Sequence, residues 1–138
     1  MKYLLVLVLG LVLSVATLQY AHATSDITIS SPTMVDTTGH EISSYSVGQE
    51  IGIQSVLANH GTTNQKFSYL VQVMDGNDVT DYFGATSASM LGNQSFTATQ
   101  VWIPKEPGTY TIQVYVWDSL ASAIPLTDVI EKQITVQS

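Results

Sequence analysis

The chain has 138 residues, with no cysteine, no arginine, four lysines and eleven acidic residues, and its formal net charge is −7 at pH 7. Because clusters of lysine and arginine bind nucleic-acid phosphates, this composition argues against a nucleic-acid partner. It also argues against an anionic lipid surface. Without cysteine there are no disulfides, thiol nucleophiles or zinc–thiolate sites, so a folded domain must be stabilised by core burial.

The N-terminus has the pattern of a secretory signal peptide. Lys2 is followed by the apolar stretch "YLLVLVLGLVLSVATL" and then by Ala21-His22-Ala23, an A-x-A cleavage site. Cleavage of residues 1–23 leaves one domain, residues 24–138, and predicts a secreted, extracellular or cell-surface protein with no membrane contact beyond export. The alternative is that residues 3–23 are kept as an anchor, since this length just spans a bilayer.

Short alternating apolar runs, separated by turn-forming residues, predict an all-β fold. Strands are expected over 26–30, 50–59, 66–74, 95–103, 109–117 and 129–136, with a short edge strand at 79–85 and a hairpin or strand switch around 37–40. About seven strands without an intervening helix favour an immunoglobulin-like antiparallel β-sandwich after the signal peptide. A jelly roll or a barrel is the alternative.

The run "GTYTIQVYVW" at 108–117 has two distinct faces. Tyr110 begins the core-facing row and lies where a tyrosine corner is expected, with its ring buried and its hydroxyl bonded to nearby backbone. Trp102 is a candidate to close the end of the core. Tyr115 and Trp117 lie on the second face, where the apolar loop 120–126 either covers them or joins them in a partner surface. The loop's contributors to such a surface are Leu120, Ile124 and Leu126.

The order of these motifs resembles that of a known group of domains. The residues are "SVGQEIGIQSVLANHG", "FSYLVQVMD", and "VWIPKEPGTYTIQVYVWDSL", with Asn59 at the end of the second main strand. They resemble secreted immunoglobulin-like domains of archaeal surface proteins and are similar in layout to CARDB domains, the cell-adhesion-related domains of bacteria. The resemblance implies a spacer, stalk or adhesive module without catalytic residues.

Oxygen ligands are concentrated in "DGNDVTD", which contains Asp75, Asn77, Asp78 and Asp81. Such oxygens can hold Ca²⁺, although the spacing fails the EF-hand pattern and is also ordinary turn chemistry. No other cofactor is expected. His40 and His60 with methionine ligands would make a copper site, but both histidines lie in turn contexts. Asn93 begins an N-glycosylation sequon, Asn-Gln-Ser.

The sequence predicts a protein that is not an enzyme, since no serine nucleophile turn occurs and no carboxylate pair is placed across a cleft. The leading hypothesis is a secreted or cell-surface module for structural support or protein–protein interaction, with a protein partner or self-association. One alternative is an extracellular metal- or small-ligand-binding protein that uses the 75–81 turn. Another is a filament subunit whose first strand completes the sheet of a neighbouring copy.

Overall fold

A computed structural model describes residues 25–138, so the signal peptide and its cleavage site lie outside the described residues. No helix within this range is long and apolar enough to cross a membrane. The strands are β1 (Ile27–Ile29), β2 (Thr33–Val35), β3 (Tyr45–Ser46), β4 (Ile51–Asn59), β5 (Gln65–Met74), β6 (Thr80–Met90), β7 (Ser95–Trp102), β8 (Gly108–Trp117) and β9 (Ile130–Gln137).

The strands form two sheets. In the first, β1 and β2 pair with β4 along one edge and β7 pairs with β4 along the other. In the second, the order is β3-β9-β8-β5-β6, and all pairs are antiparallel except β3 with β9. The predicted immunoglobulin-like all-β sandwich is confirmed. The seven predicted strands correspond to β1 and β4–β9, and the two short strands β2 and β3 lie around the predicted hairpin or strand switch.

The length predicted for the edge strand was wrong. β6 does lie at the edge of its sheet, but it runs for 11 residues, from Thr80 to Met90. The sequence beyond Ala85 is Thr-Ser-Ala-Ser, which has little apolar alternation. Pairing with the strongly patterned β5, which extends from Gln65↔Met90 to Met74↔Thr80, holds these residues extended.

The core lies between the sheets and follows the period-two alternation of the longest strands. Alternation along β4 predicts that Ile51, Ile53 and Leu57 point inward, and these side chains have no exposed surface. Alternation along β5 predicts a second inward row, which is also buried: Phe67, Tyr69, Val71 and Val73. Because apolar burial contributes roughly 25 cal/mol per Å², these strands stabilise the sandwich without a covalent link.

One buried polar contact joins the two sheets. The hydroxyls of Ser55 on β4 and Tyr69 on β5 are 3.1 Å apart, and the Tyr69 hydroxyl also donates to the Ile53 carbonyl at 3.3 Å. Neither side chain has more than 1% of its surface exposed. Both buried hydroxyls therefore have a hydrogen-bond partner in the opposite sheet, as buried polar groups require.

A second set of contacts closes one end of the sandwich. The Tyr110 hydroxyl donates to the Glu106 carbonyl at 2.7 Å, the geometry expected of a tyrosine corner. Its ring packs edge-on against Trp102, with centroids 4.9 Å apart. The buried Trp102 indole N–H donates to Asp81 Oδ2 at 2.7 Å and so ties β7 to β6. Trp102 thus faces inward at this end of the core.

We expect the free energy of unfolding to fall in alkaline solution partly because of Tyr69. Burial raises the pKa of Tyr69 to about 12, whereas an unfolded tyrosine titrates near pH 10. The stabilisation from the neutral phenol is thus complete below about pH 10 and is lost as pH rises towards about 12, a loss on the order of 3 kcal/mol. In denaturant titrations across this pH range, the free energy of unfolding of Tyr69→Phe should fall less steeply than that of the parent protein. Equal slopes for the two proteins would contradict the assignment.

Candidate interaction surface

The outer face of the five-stranded sheet carries an apolar patch, defined here as Leu70, Phe83, Tyr115 and Trp117. Leu70 of β5 pairs with Tyr115 of β8 on one side and with Ala85 of β6 on the other. Phe83 precedes Ala85 by two residues and therefore lies on the same face of the sheet. Leu70 faces away from the main core and yet has no exposed surface, so the side chains around it form a second small cluster. Sequence reasoning missed Leu70 and Phe83, and the aromatic Phe83 in an edge strand was the available signal.

The two predicted aromatic residues are partly covered. The Tyr115 and Trp117 rings contact each other, with centroids 5.5 Å apart and planes tilted by 54°, and both side chains are half-buried. Burial raises the pKa of the Tyr115 hydroxyl. Phe83 is 52% exposed. The patch therefore consists of the half-buried Tyr115–Trp117 pair on β8 and the more exposed Phe83 ring on β6.

The loop after β8 is built around one carboxylate. Asp118 Oδ1 accepts hydrogen bonds from the backbone N–H groups of Ser119 and Ile124, and Oδ2 accepts one from the Ser122 hydroxyl at 2.6 Å. These bonds, with the Ser122 hydroxyl bond the largest, hold the pKa of Asp118 below its usual value. A loop tied in this way has a defined shape rather than many conformations.

The ordered loop presents apolar side chains to solvent. Leu120 and Ile124 are 52% and 58% exposed. Leu120 also lines a shallow groove of about 330 Å³ against Ser68 and Ser87 of β5 and β6. Leu126, which the sequence grouped with these residues, is half-buried and packs against the main core instead. The loop thus borders the patch but does not cover it completely.

The acidic turn at 75–81 uses its oxygens internally. Asp75 Oδ1 accepts hydrogen bonds from the backbone N–H groups of Asn77 and Val79, and Asp78 takes a positive φ of 59° within the turn. Asp81 receives the Trp102 indole N–H. Asp75, Asn77 and Asp81 line one cleft, from which Asp78 is absent. Over residues 25–138 no group of three or more His, Cys, Asp or Glu side chains is arranged to hold a metal, and calcium binding stays a prediction.

The remaining polar candidates lie apart from one another. His40 Nδ1 contacts the Thr38 hydroxyl at 2.6 Å, and His60 Nε2 contacts the Thr28 hydroxyl at 2.9 Å. Met34 and Met90 are buried in the core, where methionine acts as a packing residue. Asn93 is exposed in the turn between β6 and β7 with φ of 61°, and its glycosylation stays a prediction.

Comparison with known proteins identifies the fold. No protein-family model and no curated protein matches the chain. Among solved structures, it is similar to the CARDB domain of a Pyrococcus furiosus protein in complex with di-metal ions, at 18% identity and a TM-score of 0.59, covering 84% of this chain and 96% of that one. The fold is that of a CARDB-like β-sandwich.

Enzymes also contain domains of this shape. A β-glucuronidase from glycoside hydrolase family 2 matches 78% of this chain with a TM-score of 0.60 and 14% identity. A β-glucosidase from Erythrobacter marinus matches 82% of it with a TM-score of 0.59 and 11% identity. The chain spans only 11% and 16% of these two enzymes. At such identities the likeness concerns the fold of one domain and not the activity.

We expect Trp117→Ala to destabilise the protein while leaving it folded. Truncating a fully buried tryptophan costs about 3–5 kcal/mol, and the half-buried Trp117 should cost less, about 2–3 kcal/mol, because part of its ring already contacts water. Leu120→Ala, at a 52% exposed position, should change the free energy of unfolding by no more than about 0.5 kcal/mol. Equal effects of the two variants in denaturant titrations would contradict this description of the surface.

Proposed function

We propose that this chain is a non-enzymatic, exported or cell-surface module that provides structural support and binds a protein partner. The contact surface is the outer face of its five-stranded sheet, together with the 118–124 loop. The secretory pattern at the N-terminus supports export, and the CARDB-like fold supports a non-catalytic role. Glycosylation at the exposed Asn93 would accord with an extracellular location.

One observation carries this proposal. The Asp118 hydrogen bonds give the loop a defined shape that holds Leu120 and Ile124 largely in solvent beside the Tyr115–Trp117 pair. An apolar side chain gains free energy when it leaves water. A loop ordered so that two such side chains stay exposed suits a surface that another protein covers, since binding energy concentrates in apolar and aromatic anchors.

The test is partner binding by a paired substitution. Leu120→Ser with Ile124→Ser should remove most of the proteins that the immobilised domain retains from an envelope extract of its source cells. The matched control is Val79→Ser with Leu91→Ser, which changes side chains that are 58% and 59% exposed away from the patch. Both double variants should keep the free energy of unfolding within about 1 kcal/mol of the parent.

Equal retention by the two double variants would contradict the proposed surface. If both double variants lost the retained proteins, general surface hydrophobicity would be the cause of the binding, and this result would also contradict the proposed surface. Quantitative mass spectrometry of the retained proteins, normalised to the amount of immobilised domain, distinguishes these outcomes.

A metal-binding role is the second candidate. Asp75, Asn77, Asp81 and Glu106 all line one cleft of about 340 Å³. Burial raises the pKa of Tyr110, and the negative charges of Asp81, Glu106 and Asp75 raise it further. Calorimetric titration with Ca²⁺ and Cu²⁺ distinguishes this role, since heat from Ca²⁺ that disappears in Asp75→Asn would support it.

The donor-strand filament alternative requires β1 to leave its own sheet. In the structure β1 pairs with β4 from Ile27↔Asn59 to Ile29↔Leu57, and Ile27 is buried in the core. Exchange would therefore break contacts that the single chain already makes. This arrangement favours the module role over the filament role.

A further inference from the structure

From residue 82 onwards, the two free strand edges on one side of the sandwich carry no charged side chain. β6 ends the five-stranded sheet and β7 ends the other sheet, and no strand within residues 25–138 pairs with the outer edge of either. Residues 82–104, which include nearly all of both strands, contain no Asp, Glu, Lys, Arg or His and form the longest such stretch in the chain. Proteins commonly protect free edges with lysine, proline or bulges.

β6 is the less protected of the two edges. Its uncharged part, residues 82–90, contains no proline. The register of its pairing with β5 shifts only between Val73↔Tyr82 and Met74↔Thr80, which is at the start of β6. Beyond Phe83, its outward side chains are small: Ala85, Ser87 and Ser89. Small side chains beside an open edge allow a second backbone to approach. β7 is shorter, and its outward positions include the bulkier Thr97, Thr99 and Val101.

We propose that β6 pairs antiparallel with β6 of a second copy of this chain, so that the two five-stranded sheets form one continuous sheet. Copies with a net charge of −7 repel each other over most of their surfaces. That repulsion is smallest at the uncharged edge, which is therefore the place where a like-charged copy fits. A two-fold axis makes the strand its own partner, and the unpaired N–H and C=O groups on each edge satisfy one another.

Pairing would also unite the apolar patches. Phe83 projects from β6 on the outer face and is 52% exposed in the single chain. In a continuous sheet the ring lies on the same side as the outer face of the second copy, next to the shared edge. The inference concerns the strand edge and is independent of the loop residues used in the proposed function.

The test is the dimer dissociation constant of the full-length protein by sedimentation equilibrium. The double variant Ala85→Lys with Ser87→Lys places lysines of the two copies directly opposite each other for each of three positions of the two-fold axis. With the axis at 85 or 87, that residue pairs with itself; with the axis at 86, residue 85 pairs with residue 87. We expect this to raise the dissociation constant by about tenfold or more. The matched control is Thr97→Lys with Thr99→Lys, the same change on the β7 edge, which should leave the constant within about threefold. A monomeric parent, or a larger effect of the β7 variant, would overturn the proposal.

Cross-linking provides a readout that tolerates some loss of stability. Since the chain has no cysteine, Ala85→Cys and Ser87→Cys can form disulfides only between copies. Ala85→Cys alone tests an axis at residue 85, Ser87→Cys alone tests one at residue 87, and a mixture of the two variants tests one at residue 86. At least one of these three oxidation reactions should give a covalent dimer. Thr97→Cys should not. Dimers from Thr97→Cys with none from positions 85 and 87 would assign the contact to β7 and refute pairing through β6.

Discussion

The structure depends on holding two β-sheets together without a covalent link between them. In antibody domains a disulfide joins the sheets, and its second cysteine lies two residues after the corner tyrosine. Here the corner residue is Tyr110, and the residue two positions later is Ile112, which has no exposed surface. Core packing, with the Ser55–Tyr69 hydrogen bond across it, takes the place of that disulfide.

The same strands that build this core also position the proposed contact surface. Alternation in β8 sends Ile112, Val114 and Val116 inward and sends Tyr115 and Trp117 outward. β5 is buried on both faces, since Leu70 lies under the outer cluster while Val71 lies in the core. The aromatic pair therefore lies beside a strand that is buried on both faces, and a change in the core is expected to disturb the outer surface.

The sequence predicted the parts of this structure that follow from strong local patterns. Alternation identified the inward faces of β4 and β5, and the position of Tyr110 at the start of the core-facing row of β8 identified it as the corner residue. It could not predict the length of β6, because Ala, Ser and Thr carry weak strand preferences that only pairing with β5 resolves. It also could not show that Leu126 packs on the core while Leu120 and Ile124 stay exposed, since this depends on hydrogen bonds from Asp118 across the loop.

The central claim, that a buried hydrogen bond across the core helps to hold the sheets together, is tested by a double-mutant cycle on Ser55→Ala and Tyr69→Phe. The measured quantity is the coupling in the free energy of unfolding at neutral pH. Each single change leaves a buried hydroxyl or its partner with poorer bonding and should cost about 1–2 kcal/mol. The double variant should lose less than the sum of the two, by about 1 kcal/mol. Additive losses, within about 0.3 kcal/mol, would show that the two residues act independently and would contradict the account.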